Sequence, residues 1–144
     1  MRLTVYTDYA LRVLIYAGLN TERLVTIDDV ARAYSISKNH LRKVVHRLSQ
    51  HGYLETVQGR RGGMRLKRRA EHIRLGEVVR QMEPDLALVE CMSDHGQCRI
   101  YAACELHSII DEARGSFFAV LDRRRLSDLL ARPQGLERLL GGER

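Results

Sequence analysis

Residues 26–67 read TIDDVARAYSISKNHLRKVVHRLSQHGYLETVQGRRGGMRLK, and this stretch decides the fold. Thr26-Ile-Asp-Asp29 has the [ST]-x-x-[DE] pattern that caps a helix before an apolar run. Ile27, Val30, Ala31 and Tyr34 then share one helical face. Ser35-Ile36-Ser37 reads as a turn. Ser37 can cap a second helix from Lys38 to about Gln50, with Leu41, Val44, Val45 and Leu48 at i, i+3, i+4 and i+7. The opposite face carries Asn39, Arg42, Lys43, His46 and Arg47. Two helices joined by a three-residue turn, the second amphipathic and basic, form a helix-turn-helix pattern. Tyr53–Val57 has strand character, Gly59–Gly63 is a turn, and Met64–Lys67 can return as a second strand. A short hairpin placed directly after the second helix is the wing of a winged helix.

Outward from this stretch, Thr7–Asn20 reads as a helix with Thr7 as N-cap and Tyr9, Ala10, Val13 and Ala17 at helical spacing. Ile73–Glu83 reads as another, ended by Pro84. Cys91–Cys104 lacks a clear period and reads as a loop. Ala103–Leu121 reads as a long helix with Leu106, Ile109, Ile110, Ala113, Phe117, Val120 and Leu121 in one stripe. That stripe exceeds what one small winged domain can cover, so we assign it to dimerisation. Leu126–Ala131 adds a short helical segment. The expected layout is a winged helix-turn-helix domain over 1–83, a cysteine loop over 84–105, a dimerisation helix and short helix over 103–131, and a loose tail over 132–144. The fold class is mainly α with a small β hairpin.

The 144 residues carry 24 Lys and Arg against 18 Asp and Glu, a net +6. The excess is local. Residues 38–69 hold Lys38, Arg42, Lys43, Arg47, Arg60, Arg61, Arg65, Lys67, Arg68 and Arg69, with Glu55 as the one acid, which leaves the rest of the chain negative. Charge alone does not separate a DNA-backbone binder from a solvated basic face, but arginines at a wing tip favour the former. Lys38, Asn39 and His40 are assigned to the major groove, where Asn39 can pair with adenine. Arg42, Lys43 and Arg47 are assigned to phosphates, and Arg60 and Arg61 to the wing contact. No apolar run of about 18 residues suggests a membrane span, and no secretory leader is visible, so a cytoplasmic location is expected. No nucleophile–base pair, phosphate loop or H-E-x-x-H motif is present, so no enzyme is expected.

All three cysteines, Cys91, Cys98 and Cys104, lie on the one polar loop, spaced Cys-x6-Cys-x5-Cys. Buried structural cysteines would sit on separate apolar elements, so a shared metal explains the grouping better. Thiolates ligate zinc, soft transition metals and iron–sulfur clusters, and the spacing alone does not choose among them. His95 and His107 lie near as fourth-ligand options. A metal-free thiol sensor also fits three cysteines.

Together these motifs resemble the winged-helix iron–sulfur regulators that include IscR, and within them most closely the NsrR-type nitric-oxide-sensing repressors. The resemblance covers nearly the whole chain. It rests on Met1-Arg-Leu-Thr, Thr7-Asp-Tyr-Ala-Leu-Arg12, Ser37-x-Asn-His-Leu-x-Lys43 and Gly59-Arg-x-Gly-Gly63. It also rests on Glu83-Pro84 before the cysteines and on Phe117-Phe118-x-x-Leu121-Asp122. The resemblance implies a homodimer on palindromic operator DNA, with Cys91, Cys98 and Cys104 holding an iron–sulfur cluster. It points to [4Fe–4S], or to [2Fe–2S] if the chain is IscR-like. Asp8 matches the residue that supplies a fourth ligand from the other subunit. Read without the resemblance, Asp8 is a first-turn acid stabilised by the helix dipole, worth about 0.3–1 kcal/mol. Arg12, four residues on, is placed to pair with Asp8 and couple its state to the helix. Nitric oxide is the implied signal, releasing DNA and derepressing detoxification genes.

Overall fold

Helix α1 (Val5–Leu19) starts earlier than the local pattern suggests in the computed structural model, which describes residues 2–93 and 96–140. Its N-cap is Thr4, whose side chain accepts from the Thr7 N–H at 3.3 Å. Thr7 is therefore buried inside the first turn. The reason is a remote partner: the Glu83 carboxylate accepts from the Thr4 N–H at 2.8 Å and from Thr4 Oγ1 at 3.2 Å.

Helix α2 (Ile27–Tyr34) carries the expected capping box, with Thr26 and Asp29 bonded reciprocally. Ser35 follows in the left-handed region, φ 54°, and turns the chain into helix α3 (Lys38–Gln50), capped by Ser37 through the His40 N–H. Strands β1 (Leu54–Val57) and β2 (Gly63–Leu66) pair antiparallel in the register Leu54↔Leu66 to Val57↔Gly63. Val25, just before α2, bridges Met64 with two backbone hydrogen bonds of 2.9 and 2.7 Å, tying the hairpin to the helix-turn-helix unit. Helix α4 (Leu75–Met82) follows. The core lies between the inner faces of α1, α3 and α4, with Leu14, Leu41, Leu48, Tyr53, Met64 and Met82 fully buried.

Helix α5 (Leu106–Asp122) begins later than Ala103, and its apolar residues divide between two faces. Phe118, outside the expected stripe, is its one buried residue at 7% exposure. Leu106, Ile109 and Val120 are 49%, 59% and 52% exposed. The helix packs on α4 through one face and leaves the adjacent face open. Helix α6 (Leu126–Leu129) is followed by α7 (Pro133–Leu140), a helix where a loose tail was expected. Leu136, Leu139 and Leu140 give α7 an i, i+3, i+4 apolar spacing that the proline start made hard to recognise as more than a tail. No helix among the described residues is long and apolar enough to cross a membrane.

The α2 cap makes stability pH-dependent. Burial alone would raise the Asp29 carboxyl, but hydrogen bonds from the Thr26 N–H and Arg23 overcome it and hold it down at about 2. A folded value below the unfolded one near 3.9 stabilises the fold above that unfolded value and is lost as pH falls toward 2. Asp29 is only 17% exposed, so the contribution reaches up to about 2 kcal/mol. Urea unfolding between pH 5 and pH 2 should show a shallower decline in Asp29→Asn than in the wild type; an equal decline would assign the acid sensitivity elsewhere.

Candidate nucleic-acid interface and cysteine loop

The second helix of a helix-turn-helix presents its N-terminal turn to DNA. Lys38, Asn39, His40, Arg42 and Lys43 are all exposed on that turn and the next. Asn39 Oδ1 accepts from Arg42 Nη1 at 3.1 Å, which orients both side chains outward from the same face. His40 stacks loosely against Tyr9 of α1, ring centroids 6.2 Å apart. Lys38 Nζ is 2.8 Å from Asp28 Oδ2 on α2, so its charge is partly neutralised before any DNA arrives.

Arg47 sits apart from this group. It is half-buried, and its Nη2 donates to the Gln81 carbonyl oxygen at 2.7 Å. It works as a strut between α3 and the end of α4, a partner thirty-four positions away that charge counting on α3 alone does not show.

The wing tip is built by glycine. Gly59 has φ +113°, open to residues without a Cβ. A Cβ on Gly62 would lie 2.3 Å from the Val57 carbonyl oxygen. Arg60 and Arg61 are therefore held on a tight, exposed tip. Among the described residues, Arg42, Lys43, Arg60 and Arg61 make no ion pair, whereas Arg65, Arg68 and Arg69 pair with Glu55, Glu77 and Glu71. Only part of the basic window carries charge without an ion-pair partner among the described residues. Arg61→Ala should reduce the magnitude of the salt slope of DNA binding by about 0.9 while leaving the melting temperature unchanged. An unaltered slope in fluorescence anisotropy titrations at several salt concentrations would remove the wing from the interface.

Between the winged domain and α5, the cysteine loop folds through two 3₁₀ turns, Glu90–Met92 and Tyr101–Ala103. Cys91 lies in the first turn, and Cys98 and Cys104 flank the second. All three are free thiols and half-buried. A Cβ on Gly96 would lie 2.3 Å from the Glu90 carbonyl oxygen and 3.1 Å from Cys91 Cα, so the loop doubles back closely on Cys91. Among the described residues no three Cys, His, Asp or Glu side chains converge as a preformed metal site. His95 lies outside the described residues, and the His107 ring packs edge-on against Tyr101 at 5.3 Å. The donor set itself, three unpaired thiols on one short loop, fits a thiophilic metal or an iron–sulfur centre.

The loop is anchored to α1 by Glu83, buried at its base against Thr4. One turn along α1 is Asp8, about half-exposed, paired with Arg12 at 2.9 Å. The Arg12 guanidinium in turn lies 5.6 Å from the ring centre of Tyr34, the last residue of α2. Asp8, Arg12 and the helix-turn-helix turn thus touch in sequence. The sequence marks Glu83 only as part of the Glu83-Pro84 motif and gives it no role; its burial and its partner on α1 appear only in three dimensions.

A family profile described as "Iron-dependent Transcriptional regulator", Rrf2, matches residues 3–132. The chain belongs to the Rrf2 family. Among its Rrf2 relatives, the HTH-type transcriptional regulator NsrR of Geobacillus kaustophilus is 46% identical over 142 residues, covering 97% of each chain. The regulator NsrR of Bacillus subtilis is also 46% identical, with 97% of each chain covered. Among solved structures, IscR of T. potens superposes with a TM-score of 0.74 at 20% identity, over 91% of this chain and 87% of that one. The global cysteine regulator CymR of B. subtilis superposes with a TM-score of 0.72 at 22% identity, over 91% and 97%. These structures share the winged-helix fold, and the sequence relatives place this Rrf2 member with the NsrR-type transcriptional regulators.

Proposed function

We propose that this Rrf2 protein is a homodimeric repressor that senses nitric oxide through an iron–sulfur cluster, [4Fe–4S] in form, and releases palindromic operator DNA when the signal arrives. The observation that carries the reading is the set of three free, half-buried thiols on the loop between the DNA-reading domain and α5. Cys91, Cys98 and Cys104 would hold the cluster, with Asp8 of the partner subunit as fourth ligand. When bound, the cluster supplies iron that nitric oxide ligates.

The remaining steps belong to the chain's own residues. The open face of α5 pairs two copies. Lys38, Asn39 and His40 read bases, while Arg42, Lys43, Arg60 and Arg61 hold phosphates. Asp8 pairs with Arg12, which lies over Tyr34; an Asp8 that ligated iron would leave Arg12 unpaired and would alter the charge at the helix-turn-helix turn. Glu83 ties the start of the loop to α1.

Anaerobic purification followed by iron, sulfide and zinc analysis tests the reading. About four iron and four sulfide per chain support it, and about two of each move it to an IscR-like [2Fe–2S] regulator. Zinc alone, or no metal after reconstitution, overturns the cluster. Nitric oxide must then lower the DNA affinity of the loaded protein; an unchanged affinity overturns the signal.

A further inference from the structure

Helix α5 meets the winged domain at a small clamp. Arg80 of α4 donates two parallel hydrogen bonds to Asp122 near the end of α5, Nη1 to Oδ1 at 2.6 Å and Nη2 to Oδ2 at 2.7 Å. The same guanidinium lies over the Phe118 ring, 4.1 Å from its centre. Phe118 is the buried residue of α5. The fit requires Gly76: a Cβ there would lie 1.9 Å from Asp122 Oδ1. Just beyond, the Leu75 N–H donates to the Arg124 carbonyl at 3.0 Å and the Leu126 N–H to the Ile73 carbonyl at 2.9 Å. The chain is thus pinned at the C-terminal end of α5, with a weaker tie at mid-helix where Arg114 Nη1 donates to the Leu86 carbonyl oxygen at 3.5 Å, while Leu106 and Ile109 at the N-terminal end are exposed.

We infer that Arg80, Asp122 and Gly76 are positioning residues that set which half-site spacing the dimer accepts. The inference rests on the reading above, in which α5 joins two copies over a palindrome. With α5 as the dimer contact, its angle to the winged domain fixes the distance between the two recognition helices. At 1.5 Å per residue the seventeen residues of α5 span about 25 Å. A tilt of about 10° at the clamp moves the far end by about 4 Å, against 3.4 Å per base pair along the DNA axis. Half-sites one helical turn apart tolerate little such error. A bidentate, ring-stacked arginine held against a glycine resists tilting in a way that a single lysine–carboxylate contact does not.

The test uses the full-length, cluster-loaded protein and the palindrome that the wild type enriches from random duplex DNA. Affinity is measured for that palindrome and for versions with one base pair inserted or removed at the centre. The wild type should lose about tenfold or more on either change. Asp122→Asn and Gly76→Ala should lose less than about threefold, with unchanged iron content and dimer mass. Asp122→Asn is nearly isosteric and partly exposed, so it carries the test if Gly76→Ala folds poorly. Variants that discriminate as the wild type does, or that weaken equally on all three duplexes, overturn the inference, as does a wild type indifferent to spacing. Failure to enrich any DNA overturns the repressor reading itself, and this inference with it.

Discussion

Cys98→Ser, reconstituted without oxygen, is expected to hold almost no iron or sulfide and to lose any response of DNA binding to nitric oxide. Serine is close in size, but its hydroxyl stays protonated near neutral pH and is a hard donor, whereas the iron needs thiolate. Cys98 is half-buried in a loop rather than in the core, so the fold should change by no more than about 0.5 kcal/mol. The variant separates the sensor from the scaffold: its melting temperature should match that of the cluster-free wild type. Its DNA affinity should equal that of the cluster-free wild type as well. Metal analysis and visible absorption read the first result, and anisotropy titration reads the second. A variant with wild-type iron content would take Cys98 out of the ligand set. Cys91→Ser and Cys104→Ser should behave alike, because all three thiols lie on the same loop.

The second large effect falls on stability. Leu48 is fully buried on the inner face of α3, where that helix packs on α1. Leu48→Ala should cost about 2–5 kcal/mol. A domain of this size has roughly 5–15 kcal/mol to lose, so the midpoint of urea unfolding should drop sharply and DNA binding should fail first on warming. Arg42, on the outer face of the same helix, is the contrast. Arg42→Ala should leave stability within about 0.5 kcal/mol and lower DNA affinity. If both variants unfolded at the wild-type midpoint, the core assignment for α3 would be wrong.

The helix-turn-helix and wing were legible because their signals are local. Thr26 with Asp29, and Ser37 with the His40 N–H, each act within three residues, and Gly62 at the wing tip meets Val57 and Gly59 within five. The start of α1 was not legible, because the group that fixes Thr4 lies seventy-nine positions away on Glu83. Charge was half legible. The basic window is real, yet Arg65, Arg68 and Arg69 are paired within the fold, and Arg47 donates to a backbone carbonyl. Composition counts charges and cannot see partners. The cysteine loop was legible as a grouping of donors, and its two 3₁₀ turns were not, since they carry no apolar period. The stripe on α5 merged two neighbouring faces. Periodicity marks residues that avoid water but does not say which neighbour covers them, so Phe118 was missed as the contact with α4.

The open face of α5 has a consequence for dosage. If Leu106, Ile109 and Val120 are covered only when two chains meet, folding and pairing are linked by mass action, and the melting temperature rises with protein concentration. The same law governs repression. Below the dissociation constant of the pair, operator occupancy grows with the square of the number of chains in the cell. A twofold drop in synthesis then lowers weak occupancy about fourfold, without any signal reaching the cysteines.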